Sequence, residues 1–180
     1  LTDKQKSYHL KTKVRDLALL TLLLGTGIRV SECVGLNISD IDFKNGGIRI
    51  YRKGGKEVTV YFGTEVEDAL LDYLEERDRI IPEAGHEDAL FLSLQRKRMA
   101  VRSVENLVKK YARTVSPLKP ITPHKLRSTY GTNLYRETGD IYLVADVLGH
   151  SDVNTTKRHY AALEDERRRS ARNKVRLREK

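Results

Sequence analysis

Five cationic or imidazole side chains stand at the helix starts and turns expected of this 180-residue chain: Arg29, Lys53, His124, Arg127 and His150. A sixth residue, Tyr160, adds a phenol. The electrophile that needs such a set is a phosphodiester. Its transition state gathers negative charge on the nonbridging oxygens. A guanidinium fork meets two such oxygens in planar, bidentate fashion and never loses its charge. Removing one preorganised donor of this kind typically costs about 3–4 kcal/mol of barrier. Two arginines and two imidazoles can thus do electrostatically what a metal pair does elsewhere.

The elements that must position these groups are legible from pattern and punctuation. Residues 15–36 predict two helices broken at "GTG" (25–27), and the almost continuous apolar surface of the first predicts a buried helix. The second begins near Ile28 and carries Arg29 and Glu32 on neighbouring sites of one face. "IRIYRKGGKEVTVYF" (48–62) is a hairpin, two alternating β-branched runs around Gly54-Gly55, with Lys53 at its tip and Lys56 across the same turn. A short strand near Ile41–Phe43 extends it to three strands. Thr64-x-x-Glu67 reads as a capping box opening an acidic helix, and another helix spans about 101–115. In 121–140, Thr122 is the N-cap, Pro123 the first helical residue and Gly139 the stop, so His124 and Arg127 share a face one turn apart. Asp140 caps the next helix, which ends at Gly149-His150. The fold class expected is mainly α with a small antiparallel β-sheet.

Composition narrows the partners. The net charge is +9, yet residues 65–88 hold ten acids against two bases, so the rest of the chain is more basic still. Acid gathered in one segment leaves the remaining surface suited to a polyanion, with double-stranded DNA the usual partner. The longest apolar run, "LALLTLLLG" (17–25), is too short to cross a bilayer, so no membrane is expected. No signal peptide is visible, and cytoplasm is the expected location. Cys33 is the only cysteine and reads as a buried apolar thiol. His150 with His159 lacks supporting ligands, so no metal and no cofactor is expected.

Four segments in this order, "GTGIRVSE" (25–32), "YRKGGKE" (51–57), "TPHKLRSTYGT" (122–132) and "LGHSDVNTT" (148–156) followed by Tyr160, resemble the tyrosine recombinases, or phage integrase family. The likeness runs through 15–163, which the resemblance makes a catalytic domain (1–163) with a basic tail (164–180). It implies that Arg29 and Arg127 clamp the scissile phosphate, with Glu32 supporting the Arg29 helix. It makes Lys53 the general acid for the departing 5′-oxygen, His124 the base or proton relay, and His150 a donor to a phosphate oxygen. Tyr160 then attacks phosphorus, giving a 3′-phosphotyrosyl enzyme and a free 5′-hydroxyl. Ester is exchanged for ester, so ATP is not needed. A free phenol has a pKa near 10, so only about one in a thousand is ionised at pH 7, and a base or cationic pocket must help. Lysine suits the leaving group because its proton is transferable.

Alternatives stay open at several points. The family spacing from the L-G-H histidine to the nucleophile is one residue shorter than from His150 to Tyr160, which puts His159 in the expected place. Lys56 rivals Lys53 as general acid. Residues 141–160 also fit a non-catalytic helix-turn-helix with Lys157 and Arg158 near the major groove, and a type IB topoisomerase would share the chemistry. The polar stretch before Tyr160 predicts a displaced or disordered nucleophile without DNA. Family members carry an N-terminal helical DNA-gripping domain and work as homotetramers on two duplexes. This chain starts about where the catalytic domain begins, so a fragment, monomeric by itself, is expected.

Overall fold

The computed structural model describes residues 2–172 and 174, in two units, Leu1–Thr129 and Tyr130–Lys180. In the first, α1 (Asp3–Thr26) starts at a reciprocal box. Thr2 accepts from the amide of Gln5, whose side chain accepts from the amide of Thr2. It ends at Gly27, whose φ of 67° suits a residue without Cβ. The expectation that its apolar run is buried holds for one face only. Ala18, Leu19, Leu22 and Leu23 are buried, whereas Leu17 and Leu24 are 59% and 45% exposed. At 3.6 residues per turn, a near-continuous run of leucines cannot all face one neighbour.

A five-residue helix, α2 (Val30–Val34), follows, then the sheet. Strands β1 (Ile41–Asp42), β2 (Gly47–Arg52) and β3 (Lys56–Tyr61) pair antiparallel in sequential order. The register sets Ile48 against Val60, Ile50 against Val58 and Arg52 against Lys56. Ile48, Ile50 and Val60 point into the core, while Arg49, Tyr51, Thr59 and Tyr61 face outward. The turn needs left-handed φ at both Gly54 and Gly55, 82° and 74°.

The next helix, α3 (Thr64–Arg77), packs along α1, with Gly25 facing Val66. The expected Thr64–Glu67 capping box is not formed. Gly63 is the cap and its carbonyl accepts from Glu67, which draws Thr64 into the first turn. Glu65, Asp68, Asp72 and Glu75 face solvent as the pattern predicts. The other side carries Tyr73, stacked on Phe91 and donating to Leu90 O, and buried Arg77, which donates to Ala89 O. Arg15 and Arg98 likewise donate to the carbonyls of Leu92 and Leu36. Part of the basic count therefore satisfies buried backbone. Helix α4 (Val101–Val115) buries Val104, Leu107 and Val108 on the same core.

Helix α5 (Pro123–Thr138) contributes residues to both units. Its start is as expected, Lys125 N–H donating to the Thr122 hydroxyl. The second unit adds α6 (Ile141–Leu148), α7 (Val153–His159) and α8 (Ala161–Ala171). Asp140 caps α6, and Asp152 caps α7. Ile141, Val144, Leu148, Tyr135 and Tyr160 form its core. The expected basic tail is thus helical through Ala171, while residues 173 and 175–180 lie outside the described residues. The architecture is mainly α-helical with one small antiparallel sheet, as expected. Among the described residues, no helix is long and apolar enough to cross a membrane.

Candidate active site

Arg29 is the N-cap of α2, and Glu32 is its third residue. One Glu32 carboxylate oxygen accepts the Arg29 amide at 2.8 Å; the other lies 3.4 Å from the Arg29 guanidinium. That second oxygen also lies 3.4 Å from Nε of Arg52. Glu32 is buried, and the Arg29 side chain is 41% exposed, so the guanidinium is braced from behind and open in front. Arg52 is the residue that the sequence reading missed. Its signal was strand parity: position 52 has the inward phase of Ile48 and Ile50, and a base on a core-facing phase needs an acidic partner.

The pair Arg52–Glu32 fixes the end of β2, directly before Lys53. Lys53 opens the exposed turn Lys53–Gly55, and Lys56 begins β3 opposite Arg52. Both lysines are exposed.

Arg127, buried on α5, donates to the carbonyl of Gly27. Gly27 lies two residues before Arg29, so the residue that ends α1 receives one arginine and leads into the other. His124 stands one turn earlier, exposed at the rim of a cleft of about 700 Å³. Val30, Arg102, Lys109, Arg113 and Lys119 also line this cleft. Within the first unit, Arg29, Glu32 and Arg127 are therefore brought to one junction, the hairpin is tied to it through Arg52, and His124 and Val30 of α2 line the same cleft.

The second unit holds the other two predicted residues. His150 follows the αL residue Gly149, and its amide donates to Ala145 O at 2.9 Å, closing α6. Its Nδ1 lies 2.5 Å from Oγ1 of Thr156. Tyr160 sits between α7 and α8, 4% exposed, its amide donating to Thr156 O at 3.1 Å. Its side chain belongs to the core of the second unit. The ring is packed 6.1 Å from Tyr135, nearly parallel, and edge-on to His159 at 4.8 Å. Its hydroxyl occupies the space beside Gly131 that a Cβ would fill. The polar stretch preceding it is helix α7, so its polarity reflects a solvated helix face. His159 is exposed.

Burial pushes the Cys33 thiol up to about 12, in keeping with an inert core residue. His86 accepts from the Arg98 amide and His9 contacts Tyr111. Among the described residues, no three His, Cys, Asp or Glu side chains are gathered as a metal site.

Comparison with known proteins adds four findings. The family model described as "Phage integrase family" matches residues 4–167. A tyrosine recombinase XerD of Oceanobacillus iheyensis is 38% identical over 148 residues, which cover 82% of this chain and 50% of that protein. A crystal structure of XerA recombinase superposes with a TM-score of 0.77 at 30% identity, covering 99% of this chain and 65% of that one. Another, XerH site-specific recombinase bound to palindromic difH substrate in a post-cleavage complex, gives 0.76 at 26% identity, covering 89% and 46%. The chain spans about half the length of the curated relatives it matches.

Proposed function

The chain belongs to the phage integrase family, and from that premise we propose that it carries out site-specific cleavage and rejoining of double-stranded DNA through a 3′-phosphotyrosyl intermediate. The observation that carries this reading is the junction at Gly27–Glu32. Arg127 is anchored on Gly27 and Arg29 is braced by Glu32, which gives two guanidinium groups supplied from opposite ends of the sequence. Such a pair meets the charge that builds on a phosphate under nucleophilic attack.

In this mechanism the Tyr160 oxygen bonds to phosphorus as the bond to the 5′-oxygen breaks. His124 accepts the phenolic proton, and Lys53 protonates the departing 5′-oxygen. Arg29 and Arg127 hold the nonbridging oxygens, and His150 donates to one of them. One phosphoester replaces another, so the step reverses when a 5′-hydroxyl of a second strand attacks. Within the family pattern the assembly that exchanges strands is a homotetramer on two duplexes, and this chain by itself is a monomer.

A non-catalytic helix-turn-helix module accounts for α6, its turn and α7. It leaves the Glu32-braced arginines and the Arg127–Gly27 bond without a purpose.

The test uses 5′-labelled duplexes carrying a nick a few nucleotides 3′ of randomised cleavage positions. Cleavage releases a short oligonucleotide and traps the labelled strand on protein. An SDS-resistant adduct, lost in Tyr160→Phe while duplex binding persists, supports the proposal. Binding without any adduct supports the module instead.

A further inference from the structure

Thr156 is fully buried on α7, a helix whose neighbouring Thr155 and Arg158 are exposed. Both of its oxygens reach residues of the proposed site. Oγ1 lies 2.5 Å from Nδ1 of His150, and its main-chain carbonyl accepts the Tyr160 amide at 3.1 Å. One residue thus holds the imidazole ring and the backbone of the nucleophile. His150 is also fixed by its own amide, bonded to Ala145 O behind Gly149. With the amide and one ring nitrogen held, the ring has a set orientation, and the bearing of Nε2 follows from it.

A buried hydroxyl needs a partner, and toward an imidazole nitrogen it either donates or accepts. We propose that Thr156 is a positioning residue whose hydroxyl donates to Nδ1 of His150, placing the proton of the neutral ring on Nε2. This rests on the recombinase reading, in which His150 donates to a phosphate oxygen; an Nε2–H is the donor that role requires. Which ring nitrogen carries the proton is set by the bond the other makes. Valine at 156 keeps the shape and the backbone bond to Tyr160 but removes the hydroxyl, so both tautomers become accessible.

Protein labelled with 15N-histidine reports the tautomer directly, with His150 assigned through His150→Gln. The expected wild-type spectrum at alkaline pH has a pyridine-like Nδ1 and a pyrrole-like Nε2. Thr156→Val mixes the two forms, and Thr156→Ser restores the first. Trapping on the nicked duplex pool slows about tenfold or more in Thr156→Val, at unchanged duplex affinity, and recovers in Thr156→Ser. A wild-type ring protonated at Nδ1 overturns the inference, as does a valine variant with unaltered tautomer and trapping rate. Should the valine variant fail to fold, the wild-type spectrum decides alone. Absence of any adduct, or an adduct that survives Tyr160→Phe, counts against the recombinase reading instead, because the spectrum needs no substrate.

Discussion

Glu32 binds Arg29 twice, accepting its backbone N–H at 2.8 Å with one carboxylate oxygen and facing its guanidinium at 3.4 Å with the other. The first contact caps α2; the second sets the direction of the side chain proposed to meet phosphate. Local helix chemistry and site geometry are therefore one interaction. Arg52 shares the same oxygen, which couples the hairpin to both.

That coupling predicts the effect of removing the carboxylate. Glu32→Ala loses a helix cap, about 1 kcal/mol, and the carboxylate that faces the guanidinium groups of Arg29 and Arg52, for a total near 2–4 kcal/mol. Glu32→Gln keeps an acceptor for the Arg29 amide and loses less. Urea unfolding of the two variants checks the order. Equal losses would show that the capping contact contributes nothing beyond the charge.

Gly131 and Tyr160 give a sharper pair. A methyl group on residue 131 falls on the Tyr160 hydroxyl. Gly131→Ala is expected to destabilise by about 1–3 kcal/mol despite alanine's better helix propensity. The penalty shrinks by about 1 kcal/mol or more in the double variant with Tyr160→Phe, since the hydroxyl is the atom in the way. A double-mutant cycle in urea measures this coupling, and strict additivity would place the tyrosine elsewhere.

Arg127→Lys tests the guanidinium itself. Lysine keeps the charge but not the planar fork that reaches Gly27 O and, in the proposed mechanism, a phosphate as well. Covalent trapping should fall about 100-fold or more, with duplex affinity changed little. An equal loss in both quantities would assign Arg127 to general phosphate binding.

Cys33 supplies a pH dependence with a definite sign. The folded chain holds the thiol proton to about 12, whereas an exposed thiol releases it near 9.0. Between those values the unfolded state binds fewer protons, so stability falls as pH rises, by about 1.4 kcal/mol per unit from this group. Relative to its value at pH 8, wild-type stability at pH 10.5 should drop by about 2 kcal/mol more than that of Cys33→Ala. At pH 8 the native thiol should resist iodoacetamide until urea opens the core.

Much of the scaffold was legible because its punctuation is chemically constrained. Gly54-Gly55, Thr122-Pro123, Asp140 and Gly149 each satisfy a backbone demand that few residues meet, and each stands where the sequence placed it. The leucine run of α1 was misread, because a run apolar on every side carries no phase to tell Leu19 from Leu17. Thr64 was misread as a cap because a glycine one residue earlier serves as well. Residues 29, 32 and 127, which the fold brings to one junction, stand in motifs conspicuous enough to single them out. Arg52 was overlooked beside the more conspicuous turn lysine. Thr156 had no local signal at all; two adjacent threonines look alike until the fold buries one against an imidazole.

The measurement that bears most directly on the proposed chemistry is identification of the residue joined to DNA. After trapping on the nicked duplex pool, protease digestion and mass spectrometry of the purified adduct locate the linkage. Predicted is an acid-stable phosphotyrosine at Tyr160, absent in Tyr160→Phe and retained in His159→Ala. An acid-labile linkage at His159, or an adduct unchanged in Tyr160→Phe, would contradict it.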